Sequence, residues 1–280
     1  MISFPCAKIN LGLNIIGERS NGYHDLETVF YPIHALHDTL EIKYMGEEFP
    51  SDTNCDLKIT GNAIDCNEQD NLVVKAYQLL AADFKLPRVH THLYKKIPSQ
   101  AGLGGGSSDA AYMIKLLDER FRLNIGYAEM ERYAAKLGAD CAFFITAEPS
   151  YATGLGDIIS PVDGPKGNLH GYSIVIVKPD ISISTKEAYQ AIVPQKPLKC
   201  CRDIVRQPIE TWKDELHNDF EIPIFKSHAE LSGIKQALYD MGAIYAQMSG
   251  SGSAIFGIFR KLPCNLNTKF PDMFVFSSKL

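Results

Sequence analysis

Pro98-Ser99-Gln100-Ala101-Gly102-Leu103-Gly104-Gly105-Gly106-Ser107-Ser108-Asp109-Ala110-Ala111 joins an apolar, β-rich segment, Val89 to Ile97, to a helical pattern running on to Phe121. Four glycines in five residues let the backbone turn its N–H groups toward one point without side-chain clash. Ser107 and Ser108 stand where the first helical turn begins, and Ala110, Ala111, Ile114, Leu117 and Phe121 follow on its apolar positions. The unpaired N–H groups and positive dipole end of such a helix attract anions. The stretch therefore reads as strand, phosphate cradle and helix, in preference to a flexible Gly/Ser surface turn.

Two common nucleotide fingerprints do not fit. No Gly-Lys-Ser/Thr closes the loop, so the P-loop NTPase pattern fails. A dinucleotide-binding turn opens the first strand–helix unit and needs an acidic residue about 20 residues on. Here the loop lies a third of the way along, and Glu119 falls too early, within the same helix.

Outward from the loop, the chain reads as mixed α and β. Ala35 to Tyr44 and Leu57 to Ile64 alternate like strands. Asn71 to Phe84 reads as a helix with Asp70 or Asn71 as its cap. Helices are expected at Ser108 to Phe121 and Tyr127 to Leu137, with Gly138 as a left-handed C-terminal cap. Beyond Pro149, Tyr151 to Thr153, Ile158 to Val162 and Tyr172 to Val177 read as strands. A helix from Ser227 to Met241 precedes strands at Ala243 to Met248 and Ala254 to Phe259. Pro194 to Pro208, with its prolines and cysteine pair, reads as an irregular surface excursion. A division near residue 150 gives two α+β domains, 1–150 and 151–280, with the active site between them.

Composition narrows the partners. The 280 residues are 45% hydrophobic and 22% charged, which is ordinary for a globular protein. A net charge of -5 without any basic block argues against a nucleic-acid partner. No 18-residue apolar run suggests a membrane span, and no secretory leader is apparent at the N-terminus. Seven cysteines without Cys-x-x-Cys spacing fit reduced thiols in a cytoplasmic protein better than disulfides or a zinc site.

Two charged residues stand out. Asp140 follows the helix stop at Gly138 and precedes the apolar run Cys141 to Ile145. It reads either as an N-cap or as a carboxylate placed for chemistry. Lys8 lies in the strand-like segment Pro5 to Leu13, among mostly apolar neighbours. It must either reach outward to water or meet an anion.

Pro-x-x-x-Gly-Leu-Gly-Gly-Gly-Ser-Ser-x-Ala-Ala resembles the second motif of the GHMP small-molecule kinases, the family of galactokinase, homoserine kinase and mevalonate kinase. Pro5-Cys6-Ala7-Lys8-Ile9-Asn10-Leu11-Gly12-Leu13 resembles the family's N-terminal motif. Met248-Ser249-Gly250-Ser251-Gly252-Ser253-Ala254-Ile255-Phe256 resembles its third. Gly22-Tyr23-His24, Gly138-Ala139-Asp140-Cys141-Ala142-Phe143-Phe144, Gly154-Leu155-Gly156-Asp157 and Asn218-Asp219-Phe220-Glu221 are similar to the branch that phosphorylates a cytidine-diphosphate-linked methylerythritol. Cys141-Ala142 departs from that branch, where Val-Pro is expected; both pairs are small and apolar.

The resemblance implies an N-terminal domain like ribosomal protein S5 domain 2, a ferredoxin-like C-terminal domain and a cleft between them. It implies ATP with Mg2+ as phosphoryl donor and the substrate's 2-hydroxyl as acceptor. Gly102, Leu103, Gly104, Gly105, Gly106, Ser107 and Ser108 would hold the ATP phosphates, with Ser107 or Ser108 reaching the metal. Asn71 and Lys95 match the adenine and ribose positions. Asp140 would face the acceptor hydroxyl, with Lys8 beside it. Tyr23 and Tyr189 would sandwich the cytosine, His24 meet its edge and Asn10 help hold the substrate. Thr185 falls either at the substrate diphosphate or outside the site. Two other readings remain: the same fold with homoserine, mevalonate or a sugar as acceptor, and a ligand-binding regulator without catalysis. Lys8, Asp140 and the intact loop argue against the regulator.

Overall fold

The computed structural model describes residues 1–63, 67–164, 169–190 and 192–280. Its strands are β1 (Ile2–Ser3), β2 (Cys6–Glu18), β3 (His24–His37), β4 (Thr39–Tyr44), β5 (Cys55–Gly61), β6 (Val89–Lys95), β7 (Ser150–Thr153), β8 (Ile158–Pro161), β9 (Ser173–Lys178), β10 (Tyr245–Met248), β11 (Ile255–Phe259) and β12 (Phe274–Lys279). The longer helices are α1 (Leu72–Ala81), α2 (Gly105–Phe121) and α3 (Tyr127–Leu137), followed by the single turn α4 (Phe143–Thr146). Helices α5 (Thr185–Gln190), α6 (Cys201–Ile204), α7 (Trp212–Glu215), α8 (Glu221–Ser227), α9 (Ala229–Asp240) and α10 (Leu266–Lys269) follow.

The chain divides into two compact units. The first comprises Met1–Ala7, His34–Ser99 and Gly104–Ala147; the second comprises Lys8–Ile33, Gln100–Leu103 and Glu148–Leu280. In the first, alternation buries Val89, Thr91 and Leu93 on one face of β6. That strand sits inside a sheet of order β1-β4-β6-β5, antiparallel to β4 and parallel to β5. Helices α1, α2 and α3 pack on one another beside it. Asn71 starts α1 by accepting a hydrogen bond from the Val73 amide, as the sequence suggests.

In the second unit, β9 is a continuous apolar strand buried along its length, the pattern of a strand inside a covered sheet. It lies at the centre of the antiparallel sheet β10-β11-β9-β12. Leu231, Ile234 and Leu238 of α9 join Val175, Val177 and Phe259 in one core. A further sheet runs β2-β3-β7-β8; Cys6–Ala7 of β2 and His34–His37 of β3 are grouped with the first unit.

Several expectations shift. The strand expected over Ala35 to Tyr44 is broken at Asp38, a fully buried residue. Its amide donates to the Pro5 carbonyl, while its Oδ1 accepts from the amides of Lys96 and Ile97. Those bonds interrupt the ladder. The strand expected to Ile64 ends at Gly61, and Ile64 lies outside the described residues. Helix α2 starts three residues early, because Gly104 turns left-handed at φ +71° and admits Gly105 and Gly106 to the first turn. Gly138 is not a left-handed cap: its φ of 172° is extended, and its carbonyl accepts from the Cys141 amide as the chain turns into α4. The Pro194 to Pro208 excursion is only half a surface loop. Cys201 and Val205 are buried, because the Glu27 carboxylate draws in the Cys201 amide.

Candidate active site

The glycine-rich loop is shared out: Gln100–Leu103 belong to the second unit and Gly104 onward to the first. In the first unit the N-cap of α2 is Gly104, which has no side chain to bond the first amides. The N–H groups of its opening turn thus remain available to an anion, as any uncapped helix start leaves them. Ser108 is fully buried there, and among the described residues its Oγ has no partner. Ser107 is half-buried and hydrogen-bonds the Cys141 thiol. Burial pushes that thiol up to about 12; the Ser107 bond opposes this and the neighbouring Asp140 charge adds to it. Asp140 itself is half-buried in the turn before α4, whose N-cap position is Ala142. Asn71, at the start of α1, lies beside the loop: its neighbour Leu72 would be 3.9 Å from a Cβ placed on Gly106.

Lys95 is turned inward. Its ammonium is buried, bonding Asp109 Oδ2 at 2.6 Å and pairing with Asp38 Oδ2. A Cβ on Gly105 would come within 3.3 Å of Lys95 Nζ, so this cation sits under the first turn of α2. Burial alone would lower the Lys95 ammonium, but the two carboxylates together hold it above its ordinary value. Burial pushes the Asp109 carboxyl up to about 7; Lys95 draws it down and Asp38 pushes it up again. Asp38 accepts three donors, whereas Asp109 Oδ1 has no partner among the described residues. The native state thus holds the Asp109 proton more tightly than the unfolded chain, whose carboxylates titrate near ~4. The stability this group contributes is fully present below about 4 and is lost as pH rises through about 7. In urea unfolding at a series of pH values, Asp109→Asn should flatten that slope. An unchanged slope would assign it to other groups.

In the second unit, Lys8 is almost fully buried in β2, with Nζ 2.6 Å from Asn10 Oδ1 and 5.0 Å from the Phe30 ring centre. The Lys8 amide donates to the Leu103 carbonyl, and the Asn10 amide nitrogen donates to Thr28 Oγ1. These bonds gather Lys8, Asn10 and the first half of the glycine loop. The same half leans on the third motif: Ser249 Oγ donates to the Gly102 carbonyl, and the Ala254 amide to the Ala101 carbonyl. Gly102 has φ +72°, and a Cβ there would fall 1.9 Å from the Ser249 carbonyl oxygen. Gly102→Ala is therefore expected to cost roughly 2–4 kcal/mol, from left-handed strain plus forced displacement of backbone. A loss below 1 kcal/mol in denaturant titration would mean that the loop relaxes freely.

Elsewhere in the second unit, the ring centres of His24 and Tyr189 lie 5.2 Å apart, and Tyr189 and Phe220 pack nearly perpendicular with ring centres 4.9 Å apart. Tyr23 is 60% exposed, an aromatic face open to solvent. Thr185 opens α5 and is exposed, while Ser184, which the sequence reading passed over, accepts from the Glu187 amide as the cap. Phe220 was also passed over as a site residue. Its signal was present in the Asn-Asp-Phe-Glu block, but its contact with Tyr189 is tertiary. Among the described residues no helix is long and apolar enough to cross a membrane, and no three His, Cys, Asp or Glu side chains cluster as a metal site.

The family model of the GHMP kinases N terminal domain matches residues 71–148, and that of the GHMP kinases C terminal matches 202–263. A 4-diphosphocytidyl-2-C-methyl-D-erythritol kinase of Bacteroides fragilis is 49% identical over 280 residues, covering 100% of both chains. One from Solidesulfovibrio magneticus is 37% identical, covering 93% of this chain and 92% of its own. A crystal structure of 4-(cytidine 5'-diphospho)-2C-methyl-D-erythritol kinase superposes with TM-score 0.76 at 25% identity over 100% of both chains. The Methanococcus jannaschii mevalonate kinase has the same fold, with TM-score 0.67 at 15% identity over 100% of this chain and 98% of its own. With two family models matched in order and relatives nearly half identical end to end, the chain belongs to the GHMP kinase family.

Proposed function

We propose that this chain transfers the γ-phosphoryl group of ATP to the 2-hydroxyl of 4-(cytidine 5'-diphospho)-2-C-methyl-D-erythritol, giving the 2-phosphate and ADP in non-mevalonate isoprenoid synthesis. The observation that carries this reading is the 49% identity to a kinase of that name over the whole length of both chains. A family of ATP-dependent kinases supplies the donor. Phosphoryl transfer asks the protein mainly for placement and charge neutralisation. The uncapped start of α2 suits the ATP phosphates, whose negative charge its N–H groups and dipole favour. Mg2+ would arrive on those phosphates and neutralise charge there; Ser107 or Ser108 would offer it a hydroxyl, and the unpartnered Ser108 Oγ fits that need.

Asp140 would orient the acceptor hydroxyl or take its proton. Lys8, buried and held by Asn10, offers a fixed cation to offset charge developing on the attacking oxygen. The acceptor carbon also bears a methyl group, so alignment matters more than proton affinity. Asn71 and Lys95 were read as adenine and ribose contacts. In this arrangement Asn71 serves as cap of α1 and Lys95 as the buried support of α2. The strand order β10-β11-β9-β12 supports a ferredoxin-like C-terminal domain, and we extend the proposal to domains 1–150 and 151–280, the first S5-like, with the substrates in a cleft between them. A cytoplasmic location accords with the free cysteines among the described residues.

The test is ADP release coupled to a reporter, with and without the cytidine-diphosphate substrate. Stimulation by homoserine, mevalonate or a sugar instead would keep the kinase and change the acceptor. The cytidine end has its own check. If Tyr23 and Tyr189 stack on the base, Tyr23→Ala and Tyr189→Ala should each cost ~1–3 kcal/mol of substrate binding. ATP affinity should be spared, and phenylalanine tolerated, because stacking uses the ring face. Parental KM and kcat in both alanine variants would remove the cytosine sandwich.

A further inference from the structure

The block Asn218-Asp219-Phe220-Glu221 is a motif to which the reaction above gives no work. All of it lies in the second unit. Asn218 is 2% exposed, and every hydrogen-bonding group of its side chain is engaged with backbone. Nδ2 donates to the Met248 carbonyl and to the Gly250 carbonyl, each at 2.8 Å, while Oδ1 accepts from the Phe220 amide at 3.0 Å. Glu221 grips the same loop from its other side, accepting from the Met248 amide at 2.8 Å through Oε1 and meeting Lys235 at 2.6 Å through Oε2. Asp219 anchors the block to β2: its carboxylate accepts from the Ile15 amide, its amide donates to the Leu13 carbonyl, and the Leu13 amide donates to the His217 carbonyl.

The loop so gripped is the third motif, and it touches reacting-site elements on two sides. Ser249 Oγ holds the Gly102 carbonyl, and a Cβ on Gly250 would lie 3.3 Å from Asn10 Oδ1, the atom that binds Lys8. Phe220, between the two gripping residues, supports the Tyr189 ring. The geometry points to Asn218 as a positioning residue, which fixes the Ser249–Gly250 loop against Gly102 and Asn10, while its neighbour Phe220 separately sets the base-binding ring. This rests on the kinase reading given above.

Replacing the carboxamide by a carboxylate of the same shape would set an oxygen against two carbonyl oxygens. Asn218→Asp is therefore expected to lower kcat at least ~10-fold, as misplacement of loops near reacting atoms does, with the KM of the cytidine-diphosphate substrate within threefold of the parent. Phe220→Leu should do the reverse, raising that KM at least ~3-fold at near-parental kcat, because the edge support of the Tyr189 ring is lost while an apolar side chain still fills the core. Amide exchange of residues 249–252 should also quicken at least ~10-fold in Asn218→Asp, and residues 91–93 of β6 should not change. Asn218→Ser, which removes both donors without adding charge, gives the same exchange readout if the aspartate variant fails to fold. Parental kcat together with parental exchange in either variant would overturn the assignment. If the parent releases no ADP with the cytidine substrate, the functional reading fails, and the exchange result by itself decides whether Asn218 positions the loop.

Discussion

Lys95→Met is expected to destabilise the chain by about 3–5 kcal/mol, the cost typical of removing one partner from a buried ion cluster. Methionine is of similar length and apolar, so packing is largely kept and the lost charge dominates. What it leaves behind is Asp38 and Asp109, both buried and both without their shared cation. Asp109 can remain protonated, since burial already pushes its carboxyl up to about 7. Asp38 keeps the Lys96 and Ile97 amides but no countercharge. Because the ammonium also underlies Gly105, the first turn of α2 should loosen and ATP binding should weaken with it. Urea unfolding with calorimetric ATP titration reads both effects. A loss below 1 kcal/mol would show that the cluster is energetically neutral, as some buried pairs are.

Asp140→Asn is expected to lower turnover at least ~100-fold, the lower range for a positioned acid–base group, with ATP and substrate binding largely kept. The amide has the same shape, so the turn before α4, held by the Gly138–Cys141 backbone bond, should stand. Only the capacity to accept a proton or to orient a hydroxyl through a full negative charge is removed. A pH–rate profile separates these roles: a base leaves a limb at the carboxyl's titration that the asparagine variant lacks. Turnover within threefold of the parent would take Asp140 out of the mechanism.

Both predictions depend on features that were unequally legible. Gly102 to Ser108 announced a helix start suited to anions because glycine and serine have local consequences, a permissive backbone and a short hydroxyl, that need no partner elsewhere. The α3 boundaries, Tyr127 and Leu137, are legible in helical periodicity and in Gly138 just beyond, although Gly138 is extended and not a left-handed cap. Strand β12 was missed because its residues are nearly all half-buried, so no alternation betrays it. Cys201 falls in the stretch that reads as a surface excursion, although the Glu27 carboxylate holds it inside.

The sequence by itself determined the α+β character, the family through three motifs in order, and the residue types offered to a phosphate and an acceptor. Each of these is written in neighbours along the chain, where periodicity, glycine freedom and helix starts act within a few residues. Tertiary structure alone decided which charges are spent on structure. Lys95 finds Asp38 across 57 positions, and Asn218 finds Gly250 across 32. No local pattern selects such partners. They are selected because a buried ammonium or carboxamide without them would bear its full desolvation cost, and only the folded chain brings the compensating groups within reach.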